Sequence, residues 1–228
     1  MRIAVLDLTE HPLPLLADLP RASEAIVDWL APGLPEAVFD RHLVADGAGL
    51  PALETVDGLI LSGSEKGVYD PAPWQRPVRA LLLEALRQAL PVFGICFGHQ
   101  LMADTYGGRA EKSAIGMVIG ARDFATPDGP VPSHVWHQDQ VTRVPPGATV
   151  TARAAYCPVG GLEYGFPAAS VQYHPEYRHA GMTALLDRVT GHALSAEMAD
   201  EAKASIRAAE VAADLGGAQA AALFRRTP

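Results

Sequence analysis

The chain has 228 residues, 49% of them apolar and 19% charged, with a formal net charge of −8. That length and balance build one sizeable α/β domain and exclude a disordered chain. The acidic balance, with no Lys/Arg cluster against it, disfavours nucleic acid as a partner, and no apolar run approaches the roughly 18 residues of a membrane span.

Two cysteines speak against a disulfide framework and for a reducing cytoplasm, and the eight histidines are scattered without metal-ligand spacing. The opening MRIAVLDLTEHP is not a signal peptide, because its apolar run is short and Asp7 and Glu10 follow at once. Arg2–Leu8 reads instead as a first strand. The spacing predicts a helix over Leu13–Leu30, its start blurred by Pro12, Pro14 and Pro20, and then a strand over Ala37–Leu43. Asp57–Leu61 (DGLIL) reads as a strand buried on both faces and stopped by Ser62-Gly63-Ser64. A polar loop, Ser62–Pro77, leads into a helix that places Val78, Leu81, Leu82, Ala85, Leu86 and Ala89 on one face. Pro91 ends it and Val92–Ile95 is the next strand. The order β-α-β-β-α-β-α implies a mostly parallel sheet covered by helices.

Further on, Arg109–Lys112, Gly116–Phe124, Val141–Val144, Thr149–Ala154 and Ala169–Tyr173 read as strands with few helices between them, a small antiparallel annex. Helices return at His179. The alanine-rich Leu194–Phe224, broken at Gly216-Gly217, is expected to form a helical pair packed on the domain. We therefore expect one domain over 1–190 and a C-terminal helical extension over 191–228, without internal repeats.

The stretch GICFG, Gly94 to Gly98, places a cysteine where a strand runs into a helix. A sharp strand–helix turn needs small residues where backbones crowd, and it leaves the residue at its tip strained and exposed. The helix aims free N–H groups and its positive dipole end at the sulfur, which favours thiolate, the reactive form. Phe97 offers a backbone N–H to an oxyanion. A buried, inert thiol is the plain alternative, so a base is required. SVQYHPEY, Ser170 to Tyr177, supplies a candidate: His174 follows a strand, and Pro175 stiffens the turn that brings Glu176 back to the ring. LILSGS, Leu59 to Ser64, ends another strand in a small-residue turn able to present a second oxyanion donor.

GICFGHQ followed by the late HPE, with the SGS turn after an earlier strand, resembles the class I (triad-type) glutamine amidotransferase family from about Met1 to about Leu186, with Gly107-Gly108 after the elbow helix also matching. The resemblance implies a three-layer, flavodoxin-like α/β fold. It implies Cys96 as nucleophile, His174 as base and acid, and Glu176 as its orienter, with Gly63, Ser64 and Phe97 forming the oxyanion site. Gln100 matches a position that contacts the glutamyl portion of the substrate. WHQDQV, Trp136 to Val141, aligns with the loop that reads the glutamyl α-amino and α-carboxyl groups, which makes His137, Gln138 and Asp139 binding candidates; a His–Asp hydrogen bond within the loop is the structural alternative. The second glycine of the usual Gly-Gly-Pro turn is Ser64 here, and Glu65-Lys66 replace the proline region. A Gly-Ser turn looks like that of members acting on γ-glutamyl amides or peptides. The loop Glu65–Pro77, with Tyr69, Asp70 and Trp74, is then a rim reading the leaving amine, unless Trp74 and Trp136 only pack.

The expected activity is hydrolysis of the γ-amide of glutamine or of a small γ-glutamyl compound through a glutamyl thioester. With the sequence ending at Pro228 and no ATP-type phosphate loop in it, no synthetase domain is expected on this chain. A glutaminase subunit feeding ammonia to a separate ATP-dependent synthetase partner is one alternative, and a non-catalytic interaction protein on the same fold is the other. No metal and no organic cofactor are expected, and no membrane partner. Cys157 reads as a packed thiol, and His99 as a residue capping or packing within its helix. His11, His42, His134, His179 and His192 carry no functional signal.

Overall fold

The computed structural model describes residues 1–12, 14–212 and 215–225. In chain order it contains β1 (Arg2–Asp7), α1 (Ala22–Leu30), β2 (Val38–Leu43), β3 (Gly58–Leu61), α2 (Gln75–Arg87), β4 (Val92–Ile95) and α3 (Phe97–Thr105). There follow β5 (Arg109–Lys112), β6 (Val118–Thr126), β7 (Gly129–His137), β8 (Asp139–Arg143), β9 (Thr149–Ala154), β10 (Cys157–Glu163) and β11 (Ala168–Val171), then α4 (His179–Val189), α5 (Ala196–Ala208) and α6 (Gly217–Arg225). A nine-stranded sheet runs β2-β1-β3-β4-β11-β10-β9-β6-β7, and β5 and β8 form a separate antiparallel pair. Strands β2 to β11 in that order are parallel; β11 to β7 continue the same sheet antiparallel. This is the helix-flanked α/β architecture expected, with a small antiparallel annex in the β5–β8 pair, but the other segments read as annex, Gly116–Phe124, Thr149–Ala154 and Ala169–Tyr173, join the main sheet as β6, β9 and β11, the last parallel to β4.

The pleat sorts the core. Ile3 and Val5 point to one face and pack with Ile60, Phe93 and Ile95 under α1 and α6. Ala4 and Leu6 point to the other and pack with Leu59 and Leu61 under α2 and α3. Each such fully buried aliphatic or aromatic side chain contributes about 1.5–3 kcal/mol. A third cluster holds α4 and α5 against Ile119 and Ala121 of β6.

Helix α6 presses directly on β3: a Cβ at Gly58 would lie 2.6 Å from the Phe224 ring. The Trp29 indole donates to the Leu215 carbonyl at 2.9 Å. Phe224→Ala therefore opens a cavity against the parallel strands. The expected loss is about 3–5 kcal/mol, read as a lower urea midpoint at unchanged slope. Residues 213, 214 and 226–228 of the predicted extension lie outside the described residues.

Three expectations are corrected. The first helix begins at Ala22, not near residue 13, because a proline at position 20 disfavours helical backbone at residue 19 before it; Leu16, Ala17 and Leu19 donate only to Pro12, Pro14 and Leu16 carbonyls in turns. Leu13 itself lies outside the described residues. The Asp7 carboxylate, from the end of β1, accepts the Ser23 N–H at 3.0 Å and holds the helix start. Second, β7 was not legible because Pro130 and Pro132 interrupt it. It is the terminal strand of the sheet, and prolines two residues apart turn their missing donors to the same unpaired edge. Third, β10 was hidden by Pro158, Gly160 and Gly161. A Cβ at Gly160 would lie 2.4 Å from Phe124, and the register with β9 shifts on both sides of Gly161.

Candidate active site

Strand β4 enters α3 through Cys96, whose φ of 51° and ψ of −104° place a non-glycine residue in left-handed backbone. Such a conformation costs on the order of 1–3 kcal/mol and persists only where the surroundings enforce it. Here the Cys96 N–H donates to the Val171 carbonyl at 2.8 Å, and the Gly98 N–H to the Ser62 carbonyl at 3.1 Å. The flanking glycines are steric requirements. A Cβ at Gly94 would lie 2.5 Å from Met102 Sδ, and one at Gly98 would lie 2.7 Å from the Leu61 carbonyl oxygen. Phe97 opens the helix, so its N–H has no acceptor within it.

Past the end of β11, His174 and Glu176 are both buried, at 4% exposure each. The imidazole Nδ1 donates to Glu176 Oε1 at 2.7 Å, and the Tyr177 ring stacks on His174 at 4.2 Å and 4°. Nε2 makes no formed hydrogen bond. Burial would lower His174, but the charges of Glu176 and Cys96 and the hydrogen bond with Glu176 outweigh it and hold the imidazole up at about 10. The turn is braced from β7. The His134 carbonyl accepts the His174 N–H at 2.9 Å, and His134 Nδ1 donates to the Tyr177 carbonyl at 2.9 Å. Burial lowers His134 below the usual imidazole range.

The SGS turn touches both groups. A Cβ at Gly63 would lie 3.2 Å from His174 Cε1 and 3.8 Å from Cys96 Cβ. The Ser62 hydroxyl accepts the Leu8 N–H and donates to the Gly63 carbonyl, each at 2.8 Å. That orients the Gly63–Ser64 peptide, whose N–H points opposite to its carbonyl.

The remaining candidates lie on the elbow helix and in the segment after Trp136, whose backbone meets the sulfur. Cys96 Sγ lies 3.6 Å from the Trp136 carbonyl. His137 Nδ1 donates to the Asp139 carbonyl at 3.0 Å, and its Nε2 accepts from the Tyr156 hydroxyl at 3.1 Å. Burial pulls His137 down to about 4, so it is neutral. The His–Asp contact within the loop is thus to backbone, not to the carboxylate. Asp139 Oδ1 accepts from the Tyr69 hydroxyl at 3.1 Å, and its buried Oδ2 has no partner. Gln138 is half-buried, and its carbonyl accepts the Ser113 N–H at 3.1 Å. Gln100 Nε2 donates to the Asp139 carbonyl at 2.9 Å and to Gln172 Oε1 at 3.1 Å.

Of the expected rim, Tyr69 reaches the site and is 55% exposed. Asp70 closes its own loop by accepting the Gly67 N–H at 2.7 Å, while Trp74 packs edge-on against Phe97 and Trp136 joins the α4–α5 cluster. His99 neither caps nor packs within its helix. It accepts from Ser170 and donates to the Val159 carbonyl, tying α3 to the sheet, and burial drives it down to about 3. Burial pushes the Cys157 thiol up to about 12. Sequence reading passed over Gln172, Ser62, His134 and Tyr156, whose partners lie far away in the chain. The signal within reach was QYHPE itself, where Gln172 precedes the histidine by two residues. Among the described residues no cluster of His, Cys, Asp and Glu gathers to hold a metal, and no helix is long and apolar enough to cross a membrane.

The model of the family described as glutamine amidotransferase class-I matches residues 42–189. A glutamine-hydrolyzing GMP synthase of Bordetella parapertussis is 34% identical over 197 residues, which cover 78% of this chain and 34% of that one. Gamma-glutamyl peptidase 5 of Arabidopsis thaliana is 30% identical over 173 residues, 69% of each chain. This chain thus spans about a third of the synthase's length and about two thirds of the peptidase's. In fold, it superposes on a glutamine amidotransferase from Thermotoga maritima with a TM-score of 0.72 at 20% identity, covering 98% of this chain and 94% of that one.

Proposed function

The chain belongs to the class-I glutamine amidotransferase family, and from that membership we propose that it hydrolyses the γ-amide of glutamine or of a γ-glutamyl compound with Cys96, His174 and Glu176 as its catalytic set. The observation that carries the reading is His174, bound through Nδ1 to Glu176 at 2.7 Å, its Nε2 otherwise unbonded, and sharing the space at Gly63 with the elbow, where an added Cβ would lie 3.2 Å from His174 Cε1 and 3.8 Å from Cys96 Cβ. In the proposed reaction the thiol proton passes to His174 and Sγ attacks the γ-carbonyl carbon. The oxyanion is held by backbone N–H groups of Phe97 and of the Gly63-Ser64 turn. His174 then gives its proton to the departing nitrogen as the C–N bond breaks, releasing ammonia or an amine. Water, deprotonated by His174, opens the γ-glutamyl thioester to glutamate and free Cys96. The neutral His137, Gln138 and the unpartnered Asp139 Oδ2 are proposed to meet the glutamyl α-amino and α-carboxyl groups.

The test is direct. Purified protein is incubated with glutamine, γ-glutamyl amides and γ-glutamyl dipeptides, glutamate is measured, and hydroxylamine is added to capture the acyl-enzyme as γ-glutamyl hydroxamate. Glutamate from at least one of them, with hydroxamate formed, is the expected result; no glutamate from any would overturn the proposal. The likeness to the GMP synthases favours a second reading, donation of the ammonia to an ATP-using partner. That reading predicts weak glutamine hydrolysis alone and strong stimulation by a protein that co-purifies; turnover of dipeptides at rates unaffected by any partner removes it.

A further inference from the structure

Gln172, which enters no part of the reaction as written above, is fully buried immediately after β11. Its Nε2 lies 3.7 Å from Cys96 Sγ, and its Oε1 accepts from Gln100 Nε2 at 3.1 Å. The orientation of both amides follows from one fixed acceptor. The Asp139 carbonyl can only accept, so Gln100 must turn its NH2 toward it, at 2.9 Å. The second hydrogen of that NH2 faces Gln172, which must therefore present its oxygen. The NH2 of Gln172 is then left for the sulfur. A flipped amide would set donor against donor at Gln100, so the chain of contacts determines the polarity at Cys96.

The sulfur meets two opposed groups. The Trp136 carbonyl at 3.6 Å can be met by a thiol, which donates, but repels a thiolate. The Gln172 amide can be met only by sulfur acting as acceptor, the role the anion fills far better. We propose that Gln172 is a catalytic residue of this site, its amide stabilising the Cys96 thiolate, and that Gln100 is the positioning residue that turns that amide toward the sulfur. This rests on Cys96 being the nucleophile. It gives Gln100, placed one turn along the elbow helix, a task on the enzyme's own sulfur, with both of its amide hydrogens committed.

Among the described residues, groups perturbed by the charge on Cys96 include His174 and Tyr177 from the turn after β11, Tyr156 from the loop before β10, and Cys157 at the start of β10. Of these only His174 is a cation when protonated, so it and the Gln172 amide both favour the anion. Removal of one leaves the other.

The experiment follows the rate of iodoacetamide labelling of Cys96 against pH, read by mass spectrometry of the Cys96 peptide, so that Cys157 does not interfere. Gln172→Met keeps the length of the side chain and removes the donor. The midpoint of the labelling profile is expected to rise by about one to two pH units, the scale of one hydrogen bond to a charged group. Gln100→Met, one contact removed from the sulfur, is expected to shift the midpoint the same way by less, because the Gln172 amide is then free to turn. A merely structural role lowers the melting temperature without moving the midpoint. Wild-type midpoints in both variants would overturn the proposal, and Gln100→Met decides it alone if Gln172→Met does not fold. Labelling needs no substrate, so this outcome is separate from the proposed hydrolysis, which fails instead if no γ-glutamyl compound is cleaved.

Discussion

Cys96→Ala is expected to abolish release of glutamate from every γ-glutamyl substrate the wild-type protein cleaves, with kcat lower by about 10⁴- to 10⁶-fold. The size follows from the way such a site works. Without sulfur there is no acyl-enzyme, and imidazole and carboxylate have nothing to activate, so removing one member costs nearly as much as removing all. The residue that remains still occupies the elbow, because alanine needs the same φ of 51° and leaves the Cys96 N–H to Val171 intact. Folding and ligand binding should therefore survive, and calorimetric titration with glutamine should still detect binding. Cys96→Gly separates strain from chemistry: it is equally inactive, yet glycine adopts left-handed backbone freely, so its melting temperature should equal or exceed that of the alanine variant. Retention of more than about 1% of wild-type kcat by Cys96→Ala, well above the residual activity such a loss leaves, would mean that the chemistry lies elsewhere.

Glu176→Gln is expected to lower kcat/KM by about 10²- to 10⁴-fold and to change its dependence on pH. In the wild-type protein burial acts to lower His174, and Glu176 is the largest of the influences that raise it. An amide leaves the burial in place and removes that charge, so the imidazole becomes neutral at a lower pH. The acid needed by the leaving nitrogen is then lost earlier, and the alkaline limb of the kcat/KM profile moves down. The sign for stability follows from the same shift. A folded-state imidazole raised above its ordinary 6.5 contributes stability that is complete below that value and is lost as pH rises toward about 10. The gap in urea midpoint between wild type and Glu176→Gln should accordingly be widest near pH 6 and close toward pH 10. A gap independent of pH, with an unmoved alkaline limb, would show that Glu176 only packs.

The parts of this fold that were legible in the sequence are those whose signal is local. DGLIL and the apolar run before the elbow are short strands buried on both faces, and their composition alone marks them. GICFG is legible because close contacts, of Gly94 with the Met102 sulfur and the Gly98 backbone and of Gly98 with Leu61, leave no room for a side chain. His-Pro-Glu is legible because its ion pair spans two residues. By contrast, Pro130 and Pro132 argue against a strand until β7 is known to be the last in its sheet. Gly160 looks like a break until Phe124 is seen lying over it.

The sequence by itself determined a parallel α/β sheet, a cysteine on a forced turn, and a histidine with its carboxylate nearby, since each is a matter of neighbours along the chain. Only the tertiary structure decided what surrounds the sulfur: Gln172 pointing its amide at it, Gln100 and the Asp139 carbonyl orienting that amide, Ser62 holding the Gly63 carbonyl, and His134 bracing the turn of His174. These contacts join residues brought together by strand order and pleat. A hydrogen bond depends on distance and direction in space, and neither can be read from position along the chain.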